Sequence, residues 1–84
     1  MRVALDGKVE RCAGALREAR RLVALRQYGG QLRKVVARTY DLFDEMDEIL
    51  VGLRPARDHE AFASVAMLHR EFEAIQSLIP PTRP

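Results

Sequence analysis

Residues 32–53, LRKVVARTYDLFDEMDEILVGL, decide the fold. Within them Leu32, Val36, Thr39, Phe43, Met46, Leu50 and Leu53 alternate by four and three, the spacing that keeps side chains on one face of an α-helix. A second row, Val35, Leu42 and Ile49, runs beside the first at seven-residue intervals. At about 100° per residue the two rows together cover roughly 140° of the helix, wider than the seam of a two-stranded coiled coil. A helix over 31–53 therefore needs two neighbours, and the chain has a stretch on either side to supply them.

Upstream, Leu5, Val9, Cys12, Leu16, Ala19 and Val23 repeat the alternation and predict a helix over 3–28. Gly29-Gly30 follows, where a left-handed residue costs no Cβ strain, with Arg26 in the last turn where the helix dipole favours a cation. Downstream, Gly52 and the Arg54-Pro55 step end the second helix, since the residue before proline is pushed out of the α region. Asp58 is placed as an N-cap with Glu60 behind it. Ala61, Val65, Leu68, Phe72, Ile75 and Ile79 then form a third seam over 58–79, which Pro80-Pro81 stops. Short loops make consecutive helices antiparallel. The expected fold is all-α: an antiparallel three-helix bundle, up-down-up, with coiled-coil-like seams, in a single helical domain over 1–79 followed by a Pro-rich tail over 80–84. The competing arrangement is a hairpin of the second and third helices with the first docked on another chain.

Composition agrees. Eighty-four residues suffice for one domain and exclude a two-domain enzyme. Apolar residues at 48% and charged ones at 31% exclude a disordered chain. Eleven Ala and ten Leu against two Tyr, three Phe and no Trp favour helices over sheets. Twelve Arg to two Lys with no Asn is the usage of a GC-rich bacterial genome. The lone Cys12 cannot form an internal disulfide, which points to a reducing cytoplasm. No apolar run approaches the roughly 18 residues of a membrane span, and the N-terminus lacks the pattern of a cleaved signal. The expected location is cytoplasmic, with no membrane span.

Charge is unevenly spread. The net of +2 forces neither a nucleic-acid nor a membrane reading. Residues 1–40 hold ten Lys and Arg against three acids, a net of +7, and residues 41–84 hold four Arg against nine acids, a net of −5. Folded onto one another the halves largely cancel; facing different partners, each is a separate electrostatic surface.

Catalytic constellations are missing from the sequence. Asp41, Asp44, Glu45, Asp47 and Glu48 form the densest acidic cluster, but an EF-hand would need its loop glycine and oxygen-ligand spacing, and a di-metal bundle would need Glu-x-x-His pairs. His59 and His69 are ten residues apart, about 15 Å of helix rise, too far to share a metal within the chain. His69 borders the Val65 and Phe72 seam, as a partly buried, hydrogen-bonded histidine would. The run Leu68-His69-Arg70-Glu71 is similar over four residues to histidine-kinase dimerisation helices, without their following proline. Cys12 lies on the apolar seam as a small core residue. A phosphate loop, a serine nucleophile elbow and a zinc-type cysteine pair are all absent. The expectation is no enzyme, no catalytic residue, no metal and no cofactor.

Interaction surfaces remain. Arg17, Arg20 and Arg21, with Arg33, Lys34 and Arg38 across the turn, can form a basic patch. Asp41, Glu45 and Glu48 share a stripe away from the Phe43 seam, suited to the rim of an interface with a basic partner. Leu22, Leu25, Met67 and Leu78 lie roughly 100° or more from their own seams and read as spare apolar contacts. Ala13, Gly14, Ala15, Ala19 and Ala24 permit close helix approach. In size and heptad pattern the chain is broadly similar to small bacterial helical adaptors such as the hairpin co-chaperones of type III secretion, a likeness of periodicity without a diagnostic motif. The function expected is a helical protein-protein interaction module, an adaptor, chaperone or assembly subunit whose partner is another helical protein or a second copy in an oligomer. The alternative is a small nucleic-acid-associated protein using the Arg-rich half.

Overall fold

The four-three alternation becomes three α-helices: α1 (Arg2–Ala24), α2 (Gly30–Val51) and α3 (His59–Leu78). A computed structural model describes residues 2–81, and among these there is no strand. The helices form a bundle with principal extents of 43 × 22 × 18 Å. Its core is Leu5, Cys12, Leu16, Ala19 and Leu22 from α1, Leu32, Leu42, Phe43 and Met46 from α2, and Ala61, Val65, Leu68, Phe72 and Ile75 from α3. Leu50, expected in the same core, is only partly buried.

The backbones approach most closely between α1 and α2, less between α1 and α3, and least between α2 and α3. Side-chain size accounts for the order. Cys12 and Ala19 of α1 are buried with Ala13 and Ala15 packed beside them, and such small residues let a neighbouring backbone come near. Between α2 and α3 stand rings: Phe43 and Phe72 lie 5.5 Å apart, and Phe43 stacks on the His69 imidazole at 3.9 Å. The wide apolar face expected of α2 is therefore matched on α1. Leu22, expected to be spare, is 0% exposed, because a helix with neighbours on two sides buries a second stripe as well as its seam.

Charged pairs at the surface follow the register that the core sets. Lys8 Nζ lies 2.8 Å from Glu45 Oε1, which brings the start of α1 beside the second half of α2. Arg20 lies 3.7 Å from Glu71, bringing the end of α1 beside the second half of α3. Both pairs join the basic half of the sequence to the acidic half within one chain.

α1 stops at Ala24, four residues before the expected end at 28. Arg26, not a glycine, takes the left-handed conformation, with φ of 56°. Its N–H donates to the Val23 carbonyl at 3.0 Å, and the Gln27 N–H donates to the Leu22 carbonyl at 2.9 Å. This is the paired-bond C-cap in which the C′ residue is usually glycine. Gly29 serves instead as the N-cap of α2 at φ −88°, without a side chain to cap the helix. Asp58 does precede α3, yet it makes no side-chain cap bond. Its Oδ2 accepts from the Arg54 N–H at 3.4 Å, and its own N–H donates to the Arg54 carbonyl at 2.8 Å, closing the turn around Pro55. Thr39, the one buried polar side chain of α2, donates its hydroxyl to the Val35 carbonyl at 2.8 Å. Pro80 and Pro81 are exposed; the last three residues of the expected tail lie outside the described residues.

Candidate functional site

Because the rings of Phe43 and Phe72 hold α2 and α3 apart, a groove of about 670 Å³ opens between the first half of α2 and the end of α3. Leu32, Val36, Ala37 and Tyr40 line it from α2, with Arg33 at its edge. Gln76 and Ile79 line it from the α3 side, and Pro80-Pro81 prolongs that wall. Tyr28, from the α1–α2 loop, completes it. The α2 residues sit at i, i+1, i+4, i+5 and i+8, which makes one stripe along the helix. Leu32 is buried and joins the groove to the core, whereas Tyr40 is 51% exposed. The Tyr40 ring stands edge-on to Phe72, and its hydroxyl accepts a hydrogen bond from Gln76 Nε2.

Arg33 is the charged residue lining the groove, and further cations gather at this end of the bundle. The α1–α2 loop sets the end of α1, with Arg17, Arg20 and Arg21, beside the start of α2, with Arg33, Lys34 and Arg38, and Arg26 lies in the loop itself. Arg20 reaches Glu71, and Arg21 pairs with Glu18 one turn away. The hydrogen bond from Arg21 holds the Glu18 carboxyl below its ordinary pKa. Among the described residues, Arg17, Arg26, Arg33, Lys34 and Arg38 have no carboxylate within 4.0 Å. Asp41, three residues on from Arg38, therefore forms no salt bridge with it. A smaller depression of about 340 Å³ lies where Gly14 and Ala15 of α1 meet Val35 of α2, flanked by Arg11, Arg38 and Glu18.

The opposite half of α2 is acidic. Asp41, Asp44, Asp47 and Glu48 are exposed. Glu45, expected to face a partner, is already engaged by Lys8, whose hydrogen bond lowers the Glu45 pKa. The expected stripe is therefore reduced to Asp41 and Glu48, which make no salt bridge among the described residues. Of the spare apolar residues, Leu25 and Leu78 are 54% and 61% exposed at the groove end of the bundle, and Met67 is exposed farther back along α3.

The remaining candidates are structural. His69 stacks on Phe43, and its Nε2 is 3.8 Å from Asp47 Oδ1, too long for a hydrogen bond. The hydrogen bond expected for His69 is not made to Asp47, and its imidazole packs on the Phe43 ring instead. Burial pushes the Cys12 thiol up to about 11, and the Glu71 carboxylate adds to the shift. Among the described residues no group of three or more His, Cys, Asp or Glu could hold a metal ion, and no helix is long and apolar enough to cross a membrane. Sequence reasoning missed Tyr28, Tyr40, Val36, Gln76 and Ile79 as groove residues. The available signal was Tyr40, an aromatic residue off the main seam but one turn from Val36.

No protein-family model, curated protein or solved structure matches the chain.

Proposed function

We propose that this protein is a small helical protein-protein interaction module, an adaptor, chaperone or assembly subunit acting in the cytoplasm, whose single domain over 1–79 holds its helices up-down-up. One observation carries the reading: an open apolar groove of about 670 Å³ at the end of the bundle where Leu25 and Leu78 are also exposed. Apolar surface left in a cluster beside charged residues is the pattern of a protein-binding face. The Lys8–Glu45 and Arg20–Glu71 pairs support the antiparallel order and the packing of α1 on its own chain. The burial of Cys12, with its thiol held at about 11, makes it a core residue rather than a nucleophile.

A second reading, a small nucleic-acid-associated protein, is favoured by one arrangement. Tyr28 and Tyr40 share the groove with Arg33, and aromatic and cationic groups together suit a single strand. The test is affinity capture from the native organism at low and high salt, with light scattering on the recovered complex. A stoichiometric protein complex, or a stable oligomer of the purified chain, supports the module. Nucleic acid that is lost at high salt supports the second reading. A strict monomer that recovers neither defeats both.

A further inference from the structure

We propose that the groove between α2 and α3 docks an acidic amphipathic helix of a partner protein. This rests on the reading of the chain as an interaction module and names the site and the chemistry of the occupant. From Leu32 to Tyr40 the groove runs along nine residues of α2, a rise of about 12 Å, the length of roughly two turns of a docked helix. Such a helix enters a groove of this kind with apolar side chains spaced three and four apart. The floor and walls supply what those side chains need: buried Leu32, partly buried Val36 and Ile79, and the apolar body of Tyr40.

Charge decides the rest of the occupant. Arg33 lines the groove, and Arg26 lies in the loop that carries Tyr28; among the described residues neither has a carboxylate within 4.0 Å. A docked helix carrying Asp and Glu beside its apolar row satisfies these cations at the rim. A second copy of this chain fits less well. Its acidic segment, residues 41–48, exposes carboxylates while Leu42, Phe43 and Met46 are buried in its own core. It can meet the arginines but has no apolar ridge there to fill the groove. A nucleic-acid strand also fits less well, because Tyr40 is held edge-on to Phe72 and through its hydroxyl by Gln76, so its ring is a wall of the groove rather than a free stacking surface.

The test uses the full chain and two fluorescein-labelled synthetic peptides of about 14 residues, roughly 21 Å as helices. Both carry Leu at helical three-four spacing; the other positions are Glu in one and Lys in the other. Anisotropy is followed for the native protein and for Ala37→Glu and Arg33→Glu. Both positions are exposed, and circular dichroism checks that each variant keeps its helicity. The Glu peptide is expected to bind at least about tenfold more tightly than the Lys peptide, and Ala37→Glu to weaken it at least about tenfold. Arg33→Glu is expected to weaken it several-fold, chiefly through slower association. Equal binding of the two peptides, indifference to Ala37→Glu, displacement of the Glu peptide by an oligothymidine strand, or loss of a self-associated form in Arg33→Glu would each overturn the proposal. If the native protein forms a partner complex that both variants leave intact, the groove assignment fails and the interaction-module reading stands. If it forms no complex of any kind, that reading fails and the groove proposal falls with it.

Discussion

The Tyr40 ring meets Phe72 edge-on, with centroids 5.0 Å apart and planes at 76°. A residue that walls the groove thus leans on a residue that fills the core. Phe72→Ala is expected to lower stability by about 3–5 kcal/mol in urea unfolding, through lost burial and the cavity left behind. A loss below about 1 kcal/mol would show that the α2–α3 seam is not enclosed.

Arg26 is left-handed at φ 56° and holds its place through the two capping bonds that follow Leu22 and Val23. Since an L-residue with a Cβ is strained there and glycine is not, Arg26→Gly is expected to raise stability by about 1 kcal/mol. The midpoint of thermal unfolding reads this. A fall in the midpoint would mean that the arginine side chain, rather than the backbone, holds the turn.

Cys12 is fully buried, and its thiol is pushed up to about 11. At pH 8 almost none of it is thiolate, so iodoacetamide is expected to label the native protein far more slowly than the urea-unfolded one. The neutral thiol is the form that folding favours. Its contribution to stability is therefore complete below the ordinary thiol value of 9.0 and is lost as pH rises through about 11. Native labelling at the unfolded rate would place Cys12 at the surface.

Glu45 and its neighbours on the acidic stripe are expected to behave differently when reversed to lysine. Asp41→Lys with Glu48→Lys changes exposed groups and is expected to leave helicity unaltered and stability within about 0.5 kcal/mol of the native protein. Glu45→Lys sets a cation against Lys8 and near Arg11, which now hold the carboxylate pKa down. It is expected to lower the midpoint more than the double change does, with the difference shrinking at high salt. The stabilisation from Glu45 is present above the ordinary carboxylate pKa and disappears as pH falls through its lower folded value. Equal midpoints for the two changes at low salt would mean that Lys8 does not bind Glu45 in solution.

Much of the fold was legible because it depends on periodicity. The rows through Leu16, Phe43 and Phe72 each specify a face, and each face found the core. Two kinds of information were not carried by the rows. Leu22 sits off its seam and is buried only because α1 has neighbours on two sides, a property of the assembled bundle. The end of α1 was misplaced because glycine is the usual left-handed residue, while here two backbone bonds hold Arg26 in that state and leave Gly29 and Gly30 to begin α2. The groove was illegible for a related reason. It exists because Phe43, His69 and Phe72 keep two backbones apart, and no single helix records the distance to its neighbour. On the acidic stripe, face assignment was correct for Asp41 and Glu48, but a residue that faces outward from one helix can still face another, as Glu45 does toward Lys8.

The placement of the arginines at one end and the carboxylates of residues 41–48 farther along has a consequence for how this molecule meets anything in solution. The bundle is 43 Å long, whereas a charge is felt over only about 8 Å at physiological ionic strength. A visitor arriving at the groove end responds to the arginines there and not to the whole-molecule net of +2. An acidic visitor exerts a torque that swings this end toward itself before the surfaces touch. Thinning the salt lengthens that reach and strengthens the torque, because the carboxylates of residues 41–48 then also repel the visitor, whereas concentrated salt weakens the preference for approach by the groove end.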